Sequence, residues 1–296
     1  MVKRAFSGAL EDKIFMLFIY IVLLVLFAVI AIPILHIVSS SFSDPYFVLR
    51  GLVSFYPRGI SFEGYSKIFS DESYVLGLMN SVFYTVAGTC VQVTMTVLCA
   101  YPLSRRSFYG KTVFTWVVVL TMFFSGGLIP TYLVVKSLGL LDTRFAMIIP
   151  GAMAGFQVLV ARSFFQSAIP EELVEAAELD GASQIAIFTK IVLPLSAPVL
   201  AILGVIYAVG NWNGFFEAMI YLNSTYLFPL QIILRNILIV NRPLAGYDAE
   251  TMQQMQRLTA LLKYALIVVS SVPILLFYPL IQKYFAKGLT VGSLKG

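Results

Sequence analysis

The chain of 296 residues is 59% hydrophobic and 12% charged, with a mean hydropathy of +0.88. A soluble domain carries about a quarter of its residues as Asp, Glu, Lys and Arg, so this composition excludes an ordinary soluble globular protein and describes a chain whose solvent is lipid. The net charge of +5 comes without a basic run of five residues, which excludes a nucleic-acid-binding tract and suits Lys and Arg seated at helix ends against anionic headgroups of membrane lipid.

A charged side chain at the bilayer centre costs about 2.5–3.5 kcal/mol on the insertion scale, so uncharged windows mark the spans. The first lies at 14–38, between Lys13 and Asp44, and at about 1.5 Å per residue it exceeds a hydrocarbon core of roughly 30 Å. Lys3, Arg4 and Lys13 ahead of it raise a cleaved signal peptide as the rival reading. The apolar run is too long for that and no small-x-small site follows, so a retained helix is predicted. Further windows lie at about 77–102, 112–135, 145–167, 195–216 and 264–281. The expectation is therefore an all-α integral membrane protein of about six transmembrane helices, forming one domain over residues 1–296. The uncharged stretch Ala218–Leu234 is interrupted by Asn223, Ser224, Thr225 and Pro229, and it reads as a loop or interfacial segment.

Six spans put both termini on one side. With the N-terminus inside, the cytoplasmic segments hold eleven of the twenty Lys and Arg residues, Arg105, Arg106 and Lys111 clustering in one short loop. The longer connections, about 39–76 and 222–263, then lie outside, where they contact a soluble partner or pack over the bundle.

The connection 168–194 departs from the others. Pro170 suits the first turn of a helix, and Glu171 and Glu172 complement its positive end. Leu173, Ala176, Ala177 and Leu179 supply a small-residue apolar face, and Gly181 stands where a glycine ends a helix. Either a solvated acidic helix or a compact docking surface results. The pattern Glu175-Ala176-Ala177-x3-Gly181-x9-Ile191-x-Leu193-Pro194 fits the cytoplasmic loop of ABC importer permeases at every defined position, and the chain resembles that family.

The resemblance implies a type I ABC importer permease fold in the bacterial inner membrane, with both termini cytoplasmic. It implies that 168–194 is a coupling loop docking into a groove on the ATP-binding subunit, through Glu175, Ala176, Ala177, Asp180 and Gly181, with Ile191, Leu193 and Pro194 completing the motif. Its implied partners are a homologous second permease, an ABC ATPase dimer and an extracytoplasmic sugar-binding protein. No cofactor is then bound by this chain, ATP and Mg2+ residing on the ATPase. Asn211-Trp212-Asn213-Gly214-Phe215 resembles the Trp-Asn segment of carbohydrate permeases. The tail Gln282–Gly296 resembles the end of the maltose-permease G-type subunit, where it inserts between ATPase subunits, so Gly288, Gly292 and Lys295 are candidate ATPase contacts. Pro229–Leu238 is similar to the branch carrying aldouronate, alginate and lipoprotein-type oligosaccharide permeases, which implies an oligosaccharide cargo of acidic, uronate type.

Asn211 and Asn213 place two amides in a span, where unsatisfied amides are costly. They line a sugar path together with Trp212 and Phe215, or they hydrogen-bond between helices, aided by Gly210-xxx-Gly214; the two readings are compatible. Gln157, beside Gly151-xxx-Gly155, poses the same choice, with packing favoured. Cys90 and Cys99 read as small buried hydrophobes, and His36 as a packing or interfacial residue. Gly110-Lys111-Thr112 resembles the end of a phosphate-binding loop, yet Arg105 stands where the first glycine belongs and no strand precedes it. Without a Ser-His-Asp set, metal-ligand spacing or paired carboxylates in a span, the chain reads as a transport component and no enzyme. A secondary transporter would need ionisable residues within the spans, whose cores are nearly free of them. A permease for another solute class would keep the coupling loop and lack the tail.

Overall fold

A backbone dissolved in hydrocarbon has to satisfy its own hydrogen bonds, and helices do so within one segment. The structure, a computed structural model, describes the backbone of residues 10–240 and 249–293, with side chains described within 12–238 and 250–276. Among these residues every regular element is helical, and the only β pairing is an isolated bridge between Ser43 and Ile60. In chain order the helices are α1 (Leu10–Ser41), α2 (Pro45–Leu49), α3 (Glu63–Ser70), α4 (Glu72–Ser104), α5 (Lys111–Phe123), α6 (Leu128–Ser137) and α7 (Gly155–Ala168). They continue with α8 (Glu171–Leu179), α9 (Gln184–Ile187), α10 (Leu193–Leu195), α11 (Ala197–Asn213), α12 (Phe216–Tyr221), α13 (Leu230–Arg235) and α14 (Ala249–Ser293).

Two compact units are formed, one from residues up to 71 with 236–269, the other from 72–235 with 270 onward. In the first, α1 is 32 residues long and none of its most apolar window is buried. That surface is suited to lipid. Tyr65 on α3 donates to Ser41 Oγ at 2.8 Å, and its ring stacks on Phe42. Gly64 lets α3 lie against α14, since a Cβ there would come 2.6 Å from the Leu261 carbonyl oxygen.

In the second unit α4 is the central helix. Val97, Ala100 and Leu103 pack with Val158, Ala161 and Phe165 of α7 and with Leu203 and Tyr207 of α11.

Among the described residues, three helical stretches are long and apolar enough to cross a membrane: 12–41, 72–104 and 256–276. Two bent pairs add one crossing each if counted as single spans, α5 with α6 at 117° and α9–α10 with α11 at 77°. The window expected at 112–135 is thus divided between α5 and α6, while that at 195–216 is occupied by α11 with the bend at its start. Residues 124–127 break the former, Gly127 taking a left-handed φ of +81°. Pro194 and Pro198, lacking N–H groups, mark the bend in the latter. The window 145–167 is helical only as α7, whose 14 residues span about 21 Å, short of a roughly 30 Å core. Its first half is a 3-10 turn (Arg144–Met147) followed by turns through Pro150 and Gly151. The stretch Ala218–Leu234, expected as loop or interface, is folded into α12, α13 and a 3-10 turn, and buries Ala218, Leu222, Leu227 and Ile232 together.

The two small-residue motifs also part company. A Cβ on Gly155 would meet Met122 Cγ at 2.8 Å and the Val118 carbonyl oxygen at 3.0 Å, so α7 and α5 touch there, whereas one on Gly210 would meet nothing within 4 Å. Gly155→Val is expected to destabilise the solubilised protein by about 1–3 kcal/mol through overpacking. Gly210→Ala is expected to leave the thermal midpoint, read by size-exclusion after heating, unchanged; equal midpoints for both variants would refute the close approach at 155.

Candidate functional site

The loop after α7 is built to stand still. Pro170 occupies the N-cap of α8 instead of its first turn, with Glu171 and Glu172 following it. At the other end Asp180 is the C-cap and Gly181 takes φ +77°. The Gly181 N–H donates to the Glu178 carbonyl at 3.0 Å and the Ala182 N–H to the Ala177 carbonyl at 3.0 Å. This paired closure satisfies the freed carbonyls and needs the left-handed residue that glycine supplies. Ser183 Oγ then accepts from the Ala186 N–H at 3.3 Å to start α9, while Gln184 Nε2 donates to Glu178 Oε1 at 2.6 Å across the turn.

One side of this loop is anchored. Val174 and Ile187 are buried, and Ala177, Ala182, Phe188 and Leu193 pack against the main core. Glu175, Ala176, Asp180 and Gly181 are exposed, Ile191 is half-buried, and Pro194 is exposed at the bend. The apolar face expected from Leu173, Ala176, Ala177 and Leu179 is divided: Ala177 turns inward, while Leu179 is 89% exposed, as Ile185 is at 76%. A Cβ at Gly181 would meet nothing within 4 Å, so the outer face is free to be approached.

Within the bundle, Asn211 Nδ2 donates to Gln92 Oε1 at 2.8 Å and to Thr89 Oγ1 at 3.3 Å. Gln92 Nε2 donates in turn to the Gly151 carbonyl at 2.9 Å, and Thr96 Oγ1 lies 2.7 Å from the Tyr207 hydroxyl. Gly88 makes room for this, because a Cβ there would sit 2.8 Å from Asn211 Nδ2. Trp212 is buried and its Nε1–H donates to the Ser270 carbonyl at 2.8 Å. Asn211 and Trp212 thus join helices, while Asn213 bonds back to the Val209 carbonyl at 2.9 Å from an exposed position, and Phe215 is exposed too. Gln157 is half-buried on α7. Lys295 lies outside the described residues, and of Gly288 and Gly292 only the helical backbone of α14 is described.

Sequence reasoning missed the polar side of α4. Asn80 Nδ2 donates to the carbonyls of Tyr226 (2.7 Å) and Phe228 (3.2 Å), Tyr84 OH to that of Leu227 (2.9 Å), and Ser81 Oγ accepts the Leu230 N–H (2.8 Å). The available signal was the spacing by four of Asn80, Tyr84, Gly88, Gln92 and Thr96, which keeps neighbours on one slowly winding stripe.

The sequence profile described as "Binding-protein-dependent transport system inner membrane component" matches residues 5–291. The chain belongs to this family. It is the membrane component of a transport system that depends on a binding protein, a transport part rather than an enzyme. It is 42% identical over 269 residues to protein LplC of Bacillus subtilis (strain 168), covering 91% of this chain and 90% of LplC. It is 42% identical over 287 residues to the polygalacturonan/rhamnogalacturonan transport system permease protein YtcP of the same organism, covering 97% and 100%. A chain from the crystal structure of a bacterial ABC transporter involved in the import of the acidic polysaccharide alginate superposes with a TM-score of 0.85, at 32% identity over 94% of this chain and 99% of that one.

Outside the spans, Asp142 holds the permease's 222–224 turn. Its Oδ1 accepts the N–H groups of Asn223 (2.9 Å) and Ser224 (2.8 Å), and its Oδ2 accepts the Ser224 hydroxyl at 2.6 Å. The Ser224 hydroxyl first, and the two amides after it, hold the carboxyl below its usual value of 3.8. A lowered folded value means that the clamp is fully present above 3.8 and is lost as pH falls through the lowered value. In Asp142→Ala at neutral pH the amides of Asn223 and Ser224 are expected to exchange hydrogen faster than in the parent; unchanged exchange would remove Asp142 as their acceptor.

Proposed function

We propose that this permease imports an acidic, uronate-type oligosaccharide. It works as one half of a heterodimeric membrane channel with a homologous second permease, an ABC ATPase dimer and an extracytoplasmic sugar-binding protein. The observation that carries this reading is the full-length similarity to YtcP, named for polygalacturonan and rhamnogalacturonan, together with that to the alginate importer. Both relatives are named for polymers of acidic sugars. The N- and C-termini lie in the cytoplasm, on the same side as residues 168–194, and that loop docks on the ATPase through Glu175, Ala176, Asp180 and Gly181. ATP and Mg2+ belong to the ATPase. Support for the docking comes from the rigid closure of α8 and its exposed outer face. Small residues there let two backbones approach, and a carboxylate can pair with a basic groove. Asn213 and Phe215, exposed at the end of α11, are the path residues best placed for a sugar, offering an amide for hydroxyls and an aromatic face for a ring. Asn211, Trp212 and Gln157 serve the helix packing around them. Gly288, Gly292 and Lys295 contact the ATPase subunits.

The reading is tested with the whole importer in proteoliposomes. Oligogalacturonate or oligomannuronate delivered by the binding protein should stimulate ATP hydrolysis, and neutral oligosaccharides of equal length should not; the reverse order would sink the acidic cargo. Gly181→Leu carries a left-handed penalty of about 1–2 kcal/mol, small beside a typical stability of roughly 5–15 kcal/mol. The variant should therefore accumulate normally while uptake drops at least about tenfold, a loss of roughly 1.4 kcal/mol of coupling. Normal uptake would remove the loop from the docking role.

A further inference from the structure

The link between α4 and α5 is only six residues long (105–110), so three cations converge where the two helices meet the start of α8. Arg105, Arg106, Lys111, Gln166, Glu171 and Glu172 line a cavity of about 350 Å3 there, which the transport reading leaves unused. Arg105 is buried, 7% exposed. Its Nη2 donates to the Phe165 carbonyl at 3.2 Å, its Nε to Ser104 Oγ at 3.2 Å, and its guanidinium carbon lies 5.2 Å from the Tyr101 ring centroid. The remaining nitrogen, Nη1, is buried with no hydrogen-bond partner among the described residues. A guanidinium cannot shed its charge, so an orphan donor on it is a standing cost unless an acceptor enters from outside the chain. Glu171 Oε1 accepts the Arg106 backbone N–H at 3.3 Å and makes no hydrogen bond to Arg105 Nη1. No ion pair among the described residues joins these three cations to the two carboxylates.

Two features identify the missing acceptor. Three cations against two carboxylates leave one net positive charge, which matches a singly charged phosphodiester better than a free dianionic phosphate. Lys111, lining the cavity, also opens α5, whose outer surface is apolar and exposed: Val113 65%, Phe114 56%, Trp116 63%, Val117 52% and Leu120 49%. In a membrane that stripe meets acyl chains, and the cavity lies at its polar end, where Lys111 begins α5. Basic pockets among transmembrane helices hold lipid headgroups in this way.

We propose that the cavity binds the phosphodiester headgroup of a membrane phospholipid, with its acyl chains lying along the exposed face of α5. Arg106 and Lys111 take the phosphate oxygens, and a small shift of the Arg105 side chain as the headgroup enters opens its covered Nη1 to a third. Glu172, exposed at the rim, accepts from the headgroup's hydroxyl or ammonium. Glu171 is both a wall of the cavity and the first residue of α8, so the bound lipid steadies the start of that loop.

The test is native mass spectrometry of the intact importer, purified in mild detergent through a tag on this chain and titrated with phosphatidylglycerol, phosphatidylethanolamine or inorganic phosphate. The parent complex should retain phospholipid, and the double variant Arg106→Gln, Lys111→Gln should bind it at least about tenfold more weakly. Arg105→Lys, which keeps the charge and loses the forked donors, should weaken it as well. Because Arg105 is part of the core, the double variant near the surface carries the decision where Arg105→Lys fails to accumulate. Unchanged lipid retention in the double variant would place the lipid elsewhere on the apolar surface and overturn the proposal. Adducts of inorganic phosphate alone, with no phospholipid retained, would assign the cavity to the free ion and overturn the lipid.

Discussion

Each interruption of a helix in hydrocarbon frees carbonyl groups that lipid cannot satisfy, and α4 resolves that problem for this chain. Its side chains reach out at intervals of about one turn to the broken segments beside it. Asn80 and Tyr84 satisfy carbonyls of 226–228, and Gln92 satisfies that of Gly151. Just beyond its end Arg105 reaches the Phe165 carbonyl, and in the opposite sense Arg162 Nε donates to the Leu103 carbonyl at 2.9 Å. Without these donors the carbonyls of Gly151 and residues 226–228 would lose those side-chain partners. With them, the irregular backbone at Gly151 and 226–228 has its carbonyls paired within the protein.

That arrangement explains which parts of the fold were legible in the sequence. The charge-free windows at 14–38, 77–102 and 264–281 fall within α1, α4 and α14, because an unbroken apolar helix is visible in composition alone. They could not distinguish a straight helix from two half-helices, since both are apolar throughout. The signals for the breaks were local: Ser125-Gly126-Gly127, Pro150-Gly151, and the prolines at 194 and 198. Each is as compatible with a kink as with a break, and the outcome depends on whether a donor waits alongside. That donor lies far away in the chain, as Asn80 does from Tyr226, so no window of sequence contains both halves of the interaction.

The loop 168–194 was legible for the opposite reason. Its turn between α8 and α9 is closed by residues close in sequence: Asp180 as the C-cap of α8, Gly181 by its left-handed φ, and Ser183 as the N-cap of α9. What the sequence left open was direction. Leu179 and Ala177 are equally compatible with an inward face on a helical wheel, and the buried Val174 and Ile187 decide it by occupying the core side. Asn211 was ambiguous in the same way, since an amide that lines a path and one that bridges helices look alike until the position of Gln92 is known.

The direction of the loop has a mechanical consequence. Val174 and Ile187 share one core with Phe165 of α7 and Tyr101 of α4, and Tyr101 is packed edge-on to Phe165. Close-packed interiors transmit displacement with little loss. A load on the exposed face of α8 therefore reaches α4 and α7 together, because Val174 and Ile187 are packed into the core those helices share. The Arg105–Phe165 bond ties those same two helices at the level of the loop. What holds the ends of α4 and α7 nearest the loop is thus continuous with the loop's own packing, and the polar stripe farther along α4 is bonded to the broken segments around Gly151 and residues 226–228.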